Sequence, residues 1–250
     1  MIVLKTSREL AAMRDAGRIS ARALKLAGEA VEPGVSTWEI DRVVRRYIEE
    51  QGATPSFLGY GGFPASACIS VNNVVIHGIP DKKTIIRQGD IVSVDVGATF
   101  EGFVGDNAWT FPCGDISPEA QSLLDATREG LFEGIKAAQA GNRIGDIGSA
   151  VQRYVEARGY SVVRDFVGHG VGAKLHEDPS VPNYGTPGRG VRLLPGMTIA
   201  IEPMINQGVY DVKVLSDGWT TVTADGKLSA HFEHSIAITE NGPVILTLPD

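Results

Sequence analysis

The sequence predicts an α+β protein in which antiparallel sheets are covered by helices. Three observations predict it: the chain opens with two amphipathic helical segments, strands with period two follow, and the same succession returns about 107 residues later. No Pro-, Ser- or Gly-rich linker separates the halves. We therefore expect a single domain over residues 1–250, with pseudo-twofold repeat halves at about 6–111 and 117–239.

Two capping boxes predict the helices of the first half. Thr6-Ser7-Arg8-Glu9 precedes a helical segment that runs to about Ala30, and Ser36-Thr37-Trp38-Glu39 precedes an amphipathic segment that ends at Gly52. A loop rich in Gly, Pro and aromatic residues follows over 53–67, and Cys68–Ile76 is expected to be a strand.

The stretch Gly89–Phe111 predicts a β-hairpin. Alternation places Val92, Val94, Val96 and Ala98 on one apolar face, and Asp95 on the other with Ile91 and Ser93. A two-residue loop at Glu101-Gly102 would set Asp95 opposite Ala108 and Asp106 opposite Gly97. The two aspartates would then be diagonal neighbours, with Cβ atoms roughly 7 Å apart.

Two buried carboxylates at that separation repel each other unless one is protonated or a cation lies between them. A solvated hairpin is the alternative, and a bulge at Gly102 would change the register. This aspartate pair is a candidate cation site only in combination with residues elsewhere in the chain.

The second half repeats the first. Ser117-Pro118-Glu119 predicts a helix to about Ala140, and a further helix is expected from Ile144 to Arg158. The shift of 107 residues aligns glycines of the two halves and places Glu202, at the end of an apolar strand, where the first half has Asp95. The site is therefore expected on the pseudo-twofold axis.

Two further segments carry polar side chains in apolar surroundings. His169 stands between glycines, which allow the backbone to approach a ligand closely, and His176 follows seven residues later. Leu228–Thr239 is expected to be one strand, with His231 and Glu233 on the same face. We take His231 for a surface residue, and Glu233 could be one too, since an isolated strand carboxylate is usually solvated.

Composition excludes several classes of protein. The net charge is −7 with a pI near 5.3, and the sequence contains no long basic run. Both observations argue against a nucleic acid or an anionic membrane as the main partner. No stretch approaches 18 apolar residues, and the N-terminus has no signal peptide. Two cysteines, Cys68 and Cys113, leave folding independent of a disulfide, so we expect a cytoplasmic protein.

Six ordered motifs resemble the type I methionine aminopeptidases, which have the pita-bread fold. They are spread over essentially the whole chain at compatible spacing: Asn72–Pro80 (NNVVIHGIP), Asp95-Val96-Gly97, Gly105-Asp106, Gly168–Gly172 (GHGVG), Ile201-Glu202-Pro203 and Phe232-Glu233-His234. The resemblance implies removal of the N-terminal methionine from nascent proteins by hydroxide attack on the scissile carbonyl.

The resemblance also implies a centre of two divalent ions. Its ligands would be Asp95, Asp106, His169, Glu202 and Glu233, with Asp106 and Glu233 bridging the ions. Oxygen-rich ligation without thiolate suits manganese, iron or cobalt, with zinc also open. Glu202 would shuttle a proton to the leaving amine, and His77 and His176 would bind substrate and stabilise the tetrahedral intermediate.

The implied pocket for the methionine side chain consists mainly of aromatic and apolar residues. Besides His77 and His176, its members are Phe57, Tyr60, Phe63, Cys68, Leu175 and Trp219. The chain departs from some relatives here, with Phe57 where a cysteine is frequent, Phe63 where tyrosine is and Leu175 where phenylalanine is. We expect a monomer that meets nascent chains and contacts the ribosome transiently. A proline-specific pita-bread peptidase and a catalytically silent pita-bread binding protein remain alternatives.

Overall fold

A computed structural model describes residues 1–249 of the chain. Four α-helices lie in this part, in two pairs: α1 Ser7–Glu29, α2 Thr37–Glu50, α3 Pro118–Ala137 and α4 Ile144–Glu156. Both predicted capping boxes form: the Thr6 backbone N–H donates to the Glu9 carboxylate at 2.7 Å, and that of Ser36 donates to Glu39 at 2.8 Å. No helix in residues 1–249 is long and apolar enough to cross a bilayer.

Strands fill the segments between and after the helices. In chain order they are β1 Thr54–Pro55, β2 Ala67–Val71, β3 Val74–Ile76, β4 Ile91–Phe100, β5 Phe103–Pro112, β6 Ser161–Val162, β7 Gly168–Gly170, β8 Glu177–Val181, β9 Thr198–Ile201, β10 Met204–Asn206, β11 Val212–Val214, β12 Thr221–Thr223, β13 Ser229–His231, β14 His234–Thr239 and β15 Gly242–Ile245. Across residues 1–249 they form four sheets: β4 with β1, β2 and β5, then β13-β10-β6, β11-β12-β3 and β15-β14-β9-β7-β8.

The hairpin of β4 and β5 has the predicted register. Asp95 lies opposite Ala108 and Asp106 lies opposite Gly97. The two-residue turn at Glu101-Gly102 has φ of 48° and 81°, the left-handed values that a tight hairpin turn of this kind requires. Both aspartates therefore project from one face of the hairpin.

The repeat extends to backbone pairing. Strand β1 pairs with the end of β4 through Thr54↔Thr99, and β6 pairs with β10 through Ser161↔Asn206, the same pairing shifted by 107 residues. The isolated bridges Ser36↔Ile85 and Arg143↔Arg192 are related by the same shift. Both halves thus use one plan of two helices over antiparallel strands.

Two of the apolar clusters lie mainly one in each half, and one aromatic side chain packs against both. The core of the first half contains the predicted Val92, Val94, Val96 and Ala98 face, and that of the second half contains residues of α3, α4, β9 and β14. Trp109 packs against the two clusters. The single domain over 1–250 stays a prediction, which this shared contact supports.

Two of the predicted strands are interrupted. Cys68–Ile76 is not one strand, because Asn72 takes a left-handed φ of 55° and the chain turns there. Its Nδ2 donates to Asp90 at 2.8 Å, and its Oδ1 accepts from the Ile91 backbone N–H at 3.0 Å. As a result β2 pairs with β4, whereas β3 joins β12 in another sheet.

The predicted strand Leu228–Thr239 is broken at Phe232-Glu233. Strand β13 pairs with β10, and β14 pairs with β9 in a different sheet. The prediction of His231 as a surface residue was wrong: it is 1% exposed. The break turns both His231 and Glu233 into the interior, where their surroundings are described below.

Candidate metal centre and substrate pocket

All thirteen residues singled out from the sequence line one cavity of about 150 Å³. This volume suits a single side chain, since pockets for drug-sized ligands begin at roughly 300 Å³. Five members are acidic or imidazole groups at one end, and the others are mostly aromatic or apolar: Phe57, Tyr60, Phe63, Cys68, His77, Asp95, Asp106, His169, Leu175, His176, Glu202, Trp219 and Glu233.

The acidic end is assembled from both halves of the repeat. Asp95 and Asp106 come from the hairpin, and Glu202 directly follows β9. Glu233 stands in the break between β13 and β14, where its backbone N–H donates to Ala108 O at 2.8 Å. This bond to β5 fixes Glu233 beside the hairpin carboxylates.

The ligand atoms are close enough to share cations. Atoms of Asp106, His169 and Glu233 lie within 4.8 Å of one another, and the same holds for Glu202, His231 and Glu233. His169 Nε2 is 3.4 Å from Glu202 Oε1 and 3.6 Å from Asp106 Oδ2. The acidic end could therefore hold divalent ions.

Burial controls the protonation of this cluster in the ion-free chain. It raises the pKa of Asp95 to about 7, with the neighbouring His231 opposing and Glu202 adding to the rise. It also raises the pKa of Glu202 to about 7, and it lifts the pKa values of Asp106 and Glu233 well above their ordinary range. Since burial lowers the pKa of His169 as well, its contacts with the carboxyl groups are not ion pairs between charged partners.

Unpaired acceptors show that the cluster suits cations. Three carboxylate oxygens have no hydrogen-bond donor although they are fully buried: Asp95 Oδ1, Asp106 Oδ1 and Glu233 Oε1. His169 Nδ1 forms a 2.8 Å hydrogen bond with Gly170 O. Because a carbonyl oxygen only accepts, Nδ1 carries the proton and the neutral ring turns the Nε2 lone pair toward the carboxylates. Divalent ions would satisfy these facing acceptors.

Glycines beside the ligands make room for neighbouring backbone. A Cβ on Gly168 would lie 2.4 Å from Ala200 O, and one on Gly170 would lie 2.2 Å from Asp178 O. Neither glycine has a positive φ. The glycines around His169 thus allow neighbouring backbone to pack closely against this strand.

Aromatic contacts shape the other end of the cavity. The rings of Phe63 and Trp219 meet edge to face with centroids 5.2 Å apart, and Trp219 lies over Gly61. Cys68 is a buried free thiol whose pKa burial raises well above its ordinary value, so it lines the wall as a neutral apolar group. This end can accept an unbranched apolar side chain.

Two histidines lie between the acidic and aromatic ends. The Tyr60 hydroxyl and His176 Nδ1 share a hydrogen bond of 2.7 Å, and the rings of His176 and His169 are 4.2 Å apart. His77 has a left-handed φ of 57° and packs edge to face against Phe166. Burial, with a smaller contribution from His231, lowers the pKa of His77 to about 4. His77 is therefore a neutral ring near neutral pH.

Sequence reasoning missed His231 at this site. Its Nε2 is 3.5 Å from Glu202 Oε2 and has no hydrogen-bond partner. Period two had already placed His231 on the face of Glu233, which was the signal for its position. The error was to assign that face to solvent.

The chain matches the model of metallopeptidase family M24 over residues 11–240. It is 57% identical over 248 residues to the methionine aminopeptidase of Clostridium perfringens, and the match covers 99% of both chains. The crystal structure of methionine aminopeptidase from Thermotoga maritima superposes with a TM-score of 0.98 at 48% identity, covering 99% of this chain and 100% of that one.

A prolidase from Pyrococcus furiosus superposes with a TM-score of 0.80 at 24% identity, over 99% of this chain and 66% of that one. At that identity the likeness shows the fold alone. These neighbours confirm the predicted α+β pita-bread class. From the family match and the identity over nearly its whole length, the chain belongs to metallopeptidase family M24, among the methionine aminopeptidases.

Proposed function

We propose that this protein is a metal-dependent aminopeptidase that removes methionine from the N-terminus of peptides and nascent proteins. The observation that supports this most directly is the shape of the cavity, which has a carboxylate-rich end and a small aromatic slot. A substrate whose first side chain fills the slot would present its first peptide bond to the acidic end. A free N-terminus is needed because the cavity has room for only one side chain.

Membership of a metallopeptidase family implies the use of divalent metal. Two ions held by Asp95, Asp106, His169, Glu202 and Glu233 would balance the four carboxylate charges, and the oxygen-rich donor set suits manganese, iron or cobalt, with zinc also open. Bound there, divalent ions supply a Lewis acid for the scissile carbonyl and lower the pKa of water.

The protein's own groups would handle the protons and the developing charge. Glu202 would carry the proton to the leaving amine, because its carboxylate lies in the cluster next to His169. Neutral His176 would donate from Nε2 to the carbonyl oxygen when its Nδ1 accepts the Tyr60 hydroxyl proton. His77 would hydrogen-bond the substrate from the opposite wall.

The slot would select methionine by shape and softness. Phe63 and Trp219 meet edge to face, and Phe57 and Leu175 are almost fully buried beside them. A linear thioether can enter between aromatic rings and gain sulfur contacts, whereas a chain branched at Cβ would collide with the walls. The departures at Phe57, Phe63 and Leu175 would alter the slot's outline and keep its apolar character.

We place the protein in the cytoplasm as a monomer that meets nascent chains, with only transient ribosome contact. Gel filtration combined with light scattering tests the monomer. Co-sedimentation with translating ribosomes at low and moderate salt tests the contact.

The activity is tested by methionine release from a Met-Ala-Ser peptide. Protein stripped by chelator would be reloaded anaerobically with Mn²⁺, Fe²⁺, Co²⁺ or Zn²⁺, with an Ala-Pro peptide and a metal-free sample alongside. We expect methionine release from Met-Ala-Ser only when metal is present, and the release rates would rank the four ions by the activity they support. Cleavage of Ala-Pro instead would favour a proline peptidase. Bound metal without cleavage of either peptide would favour a binding protein.

A further inference from the structure

The carboxylate of Glu202 lies between two imidazole rings. Oε1 is 3.4 Å from His169 Nε2, and Oε2 is 3.5 Å from His231 Nε2. Of these two rings, only that of His169 belongs to the proposed ligand set. The second ring, that of His231, is buried next to the other carboxylate oxygen.

The two rings cannot play the same part. His169 keeps its proton on Nδ1 through the bond to Gly170 O, so its Nε2 faces Glu202 as an acceptor and suits a cation. His231 Nε2 has no hydrogen-bond partner in the interior. A buried N–H without a partner is costly, and Glu202 Oε2 is an acceptor only 3.5 Å away.

The backbone fixes His231 in this position. It pairs with Met204 across β13 and β10, two residues beyond Glu202. Its N–H donates to Thr110 Oγ1 at 2.9 Å, and the Thr110 hydroxyl donates to His231 O at 2.8 Å. These contacts fix the backbone from which the ring reaches Glu202.

Glu202 itself has little support from the sheet. It stands between β9 and β10 and precedes Pro203, which has no N–H to donate. Carboxylates that bind metals are commonly held by hydrogen bonds on the oxygen that faces away from the ion. His231 is placed where such a partner is needed.

We propose that His231 is a positioning residue whose Nε2–H donates a hydrogen bond to Glu202 Oε2 and thereby holds Oε1 toward the metal centre. This inference rests on the proposed function, because it needs Glu202 as a ligand. It adds a residue outside the thirteen of the cavity. The ring itself does not bind metal in this arrangement.

Two substitutions distinguish the effect of losing the hydrogen-bond donor of His231 from the effect of changing its side-chain volume. His231→Leu fills similar space without an N–H, and His231→Gln keeps an N–H that can reach Glu202. His234→Gln is the matched control, because it also replaces a buried histidine of this segment, one whose Nδ1 bonds to Thr247 Oγ1 at 2.9 Å. Mn²⁺ affinity and stoichiometry would be measured by titration calorimetry under anaerobic conditions.

We expect His231→Leu to weaken binding of the more loosely held ion by roughly tenfold to a hundredfold, the usual effect of removing such a supporting group. His231→Gln should recover most of that loss, and His234→Gln should bind Mn²⁺ like the unaltered protein. At saturating metal, kcat for Met-Ala-Ser should fall in His231→Leu with KM little changed. Equal losses in the Leu and Gln variants, or no loss in either, would overturn the proposal.

A second measurement needs no substitution and covers the case in which His231→Leu does not fold. In protein labelled with ¹⁵N-histidine and loaded with diamagnetic Zn²⁺, His231 should show a proton on Nε2. An unprotonated, metal-shifted Nε2 would make the ring a ligand and refute the positioning role. If the unaltered protein binds no metal, the proposed function itself is refuted. If the unaltered protein binds metal normally and His231→Leu binds it equally well, only the positioning role of His231 is refuted.

Discussion

Gly97 gives a test of the slot that does not touch a proposed ligand or catalytic group. It lies in β4 opposite Asp106, and its carbonyl accepts the Ser56 N–H at 2.9 Å. A Cβ at this position would lie 2.7 Å from Phe57 Cε1 and 2.9 Å from Ser56 Cβ. Gly97→Ala should therefore push the Phe57 ring, because Ser56 is anchored to β4 by its backbone.

The size of the effect follows from these distances. To regain a contact of 3.4 Å, the edge of the Phe57 ring must retreat by about 0.7 Å. Overpacking of this kind costs about 1–3 kcal/mol of stability. A misplacement approaching 1 Å near reacting groups can cost about a hundredfold in rate, so we expect kcat/KM for Met-Ala-Ser to fall by roughly tenfold to a hundredfold.

The assay combines peptide kinetics with metal analysis and a second substitution. Gly97→Ala should still bind Mn²⁺, and adding Phe57→Cys, the residue frequent in relatives, should restore much of the lost kcat/KM by removing the ring. Gly130→Ala is the control, because its Cβ would lie 2.8 Å from Val155 Cγ1 and would therefore overpack the contact between α3 and α4 to a similar degree, away from the slot, so its kcat/KM should stay unaltered. A folded Gly97→Ala protein with unaltered kcat/KM, or a double variant no better than the single one, would refute the reasoning.

Three further predictions concern the proposed catalytic groups and metal. In metal analysis and peptide kinetics, His77→Ala and His176→Ala should keep their metal and lose about a hundredfold in kcat. Asp106→Ala should lose both the bound metal and the activity. A metal-free His176→Ala protein would contradict the role of His176 as a non-ligand. Tyr60→Phe removes the partner of His176 Nδ1 and should lower kcat by up to about tenfold, and an unchanged kcat would exclude that role for the hydroxyl. With free metal at a hundredfold excess over its Kd, the unfolding free energy in urea titrations should be about 3 kcal/mol higher than in chelator. Identical unfolding curves with and without chelator would argue against a metal centre in the folded state.

The sequence allowed the hairpin to be predicted in detail because local rules determine it. Period two separates the apolar face from Asp95, and the two-residue turn at Glu101-Gly102 fixes which residues lie opposite each other. One register then brings Asp95 and Asp106 together. The residues that surround this pair come from distant segments, and only the resemblance to a known family indicated them in advance.

The failures of the sequence analysis all lie where a strand changes sheets. The predicted strands run through Asn72 and through Phe232-Glu233, but the chain leaves one sheet for another at both places. Such a break depends on tertiary partners, as in the bond from Glu233 N to Ala108 O on β5. The face of His231 was therefore predicted correctly, and its burial could not be deduced from local pattern.

The repeat explains why the two equivalent carboxylates need different support. Asp95 lies within the continuous ten-residue strand β4, whereas the same shift of 107 residues divides the corresponding segment into β9 and β10 with Glu202 and Pro203 between them. The facing strands are divided at Phe232-Glu233, so Glu202 and Glu233 both occupy the gap. Strand pairing fixes the backbone of Asp95, but side chains must hold Glu202. On this reasoning, replacing His231 should release the side chain of Glu202 and leave the backbone of Asp95 in its strand, which a crystal structure of His231→Leu would show.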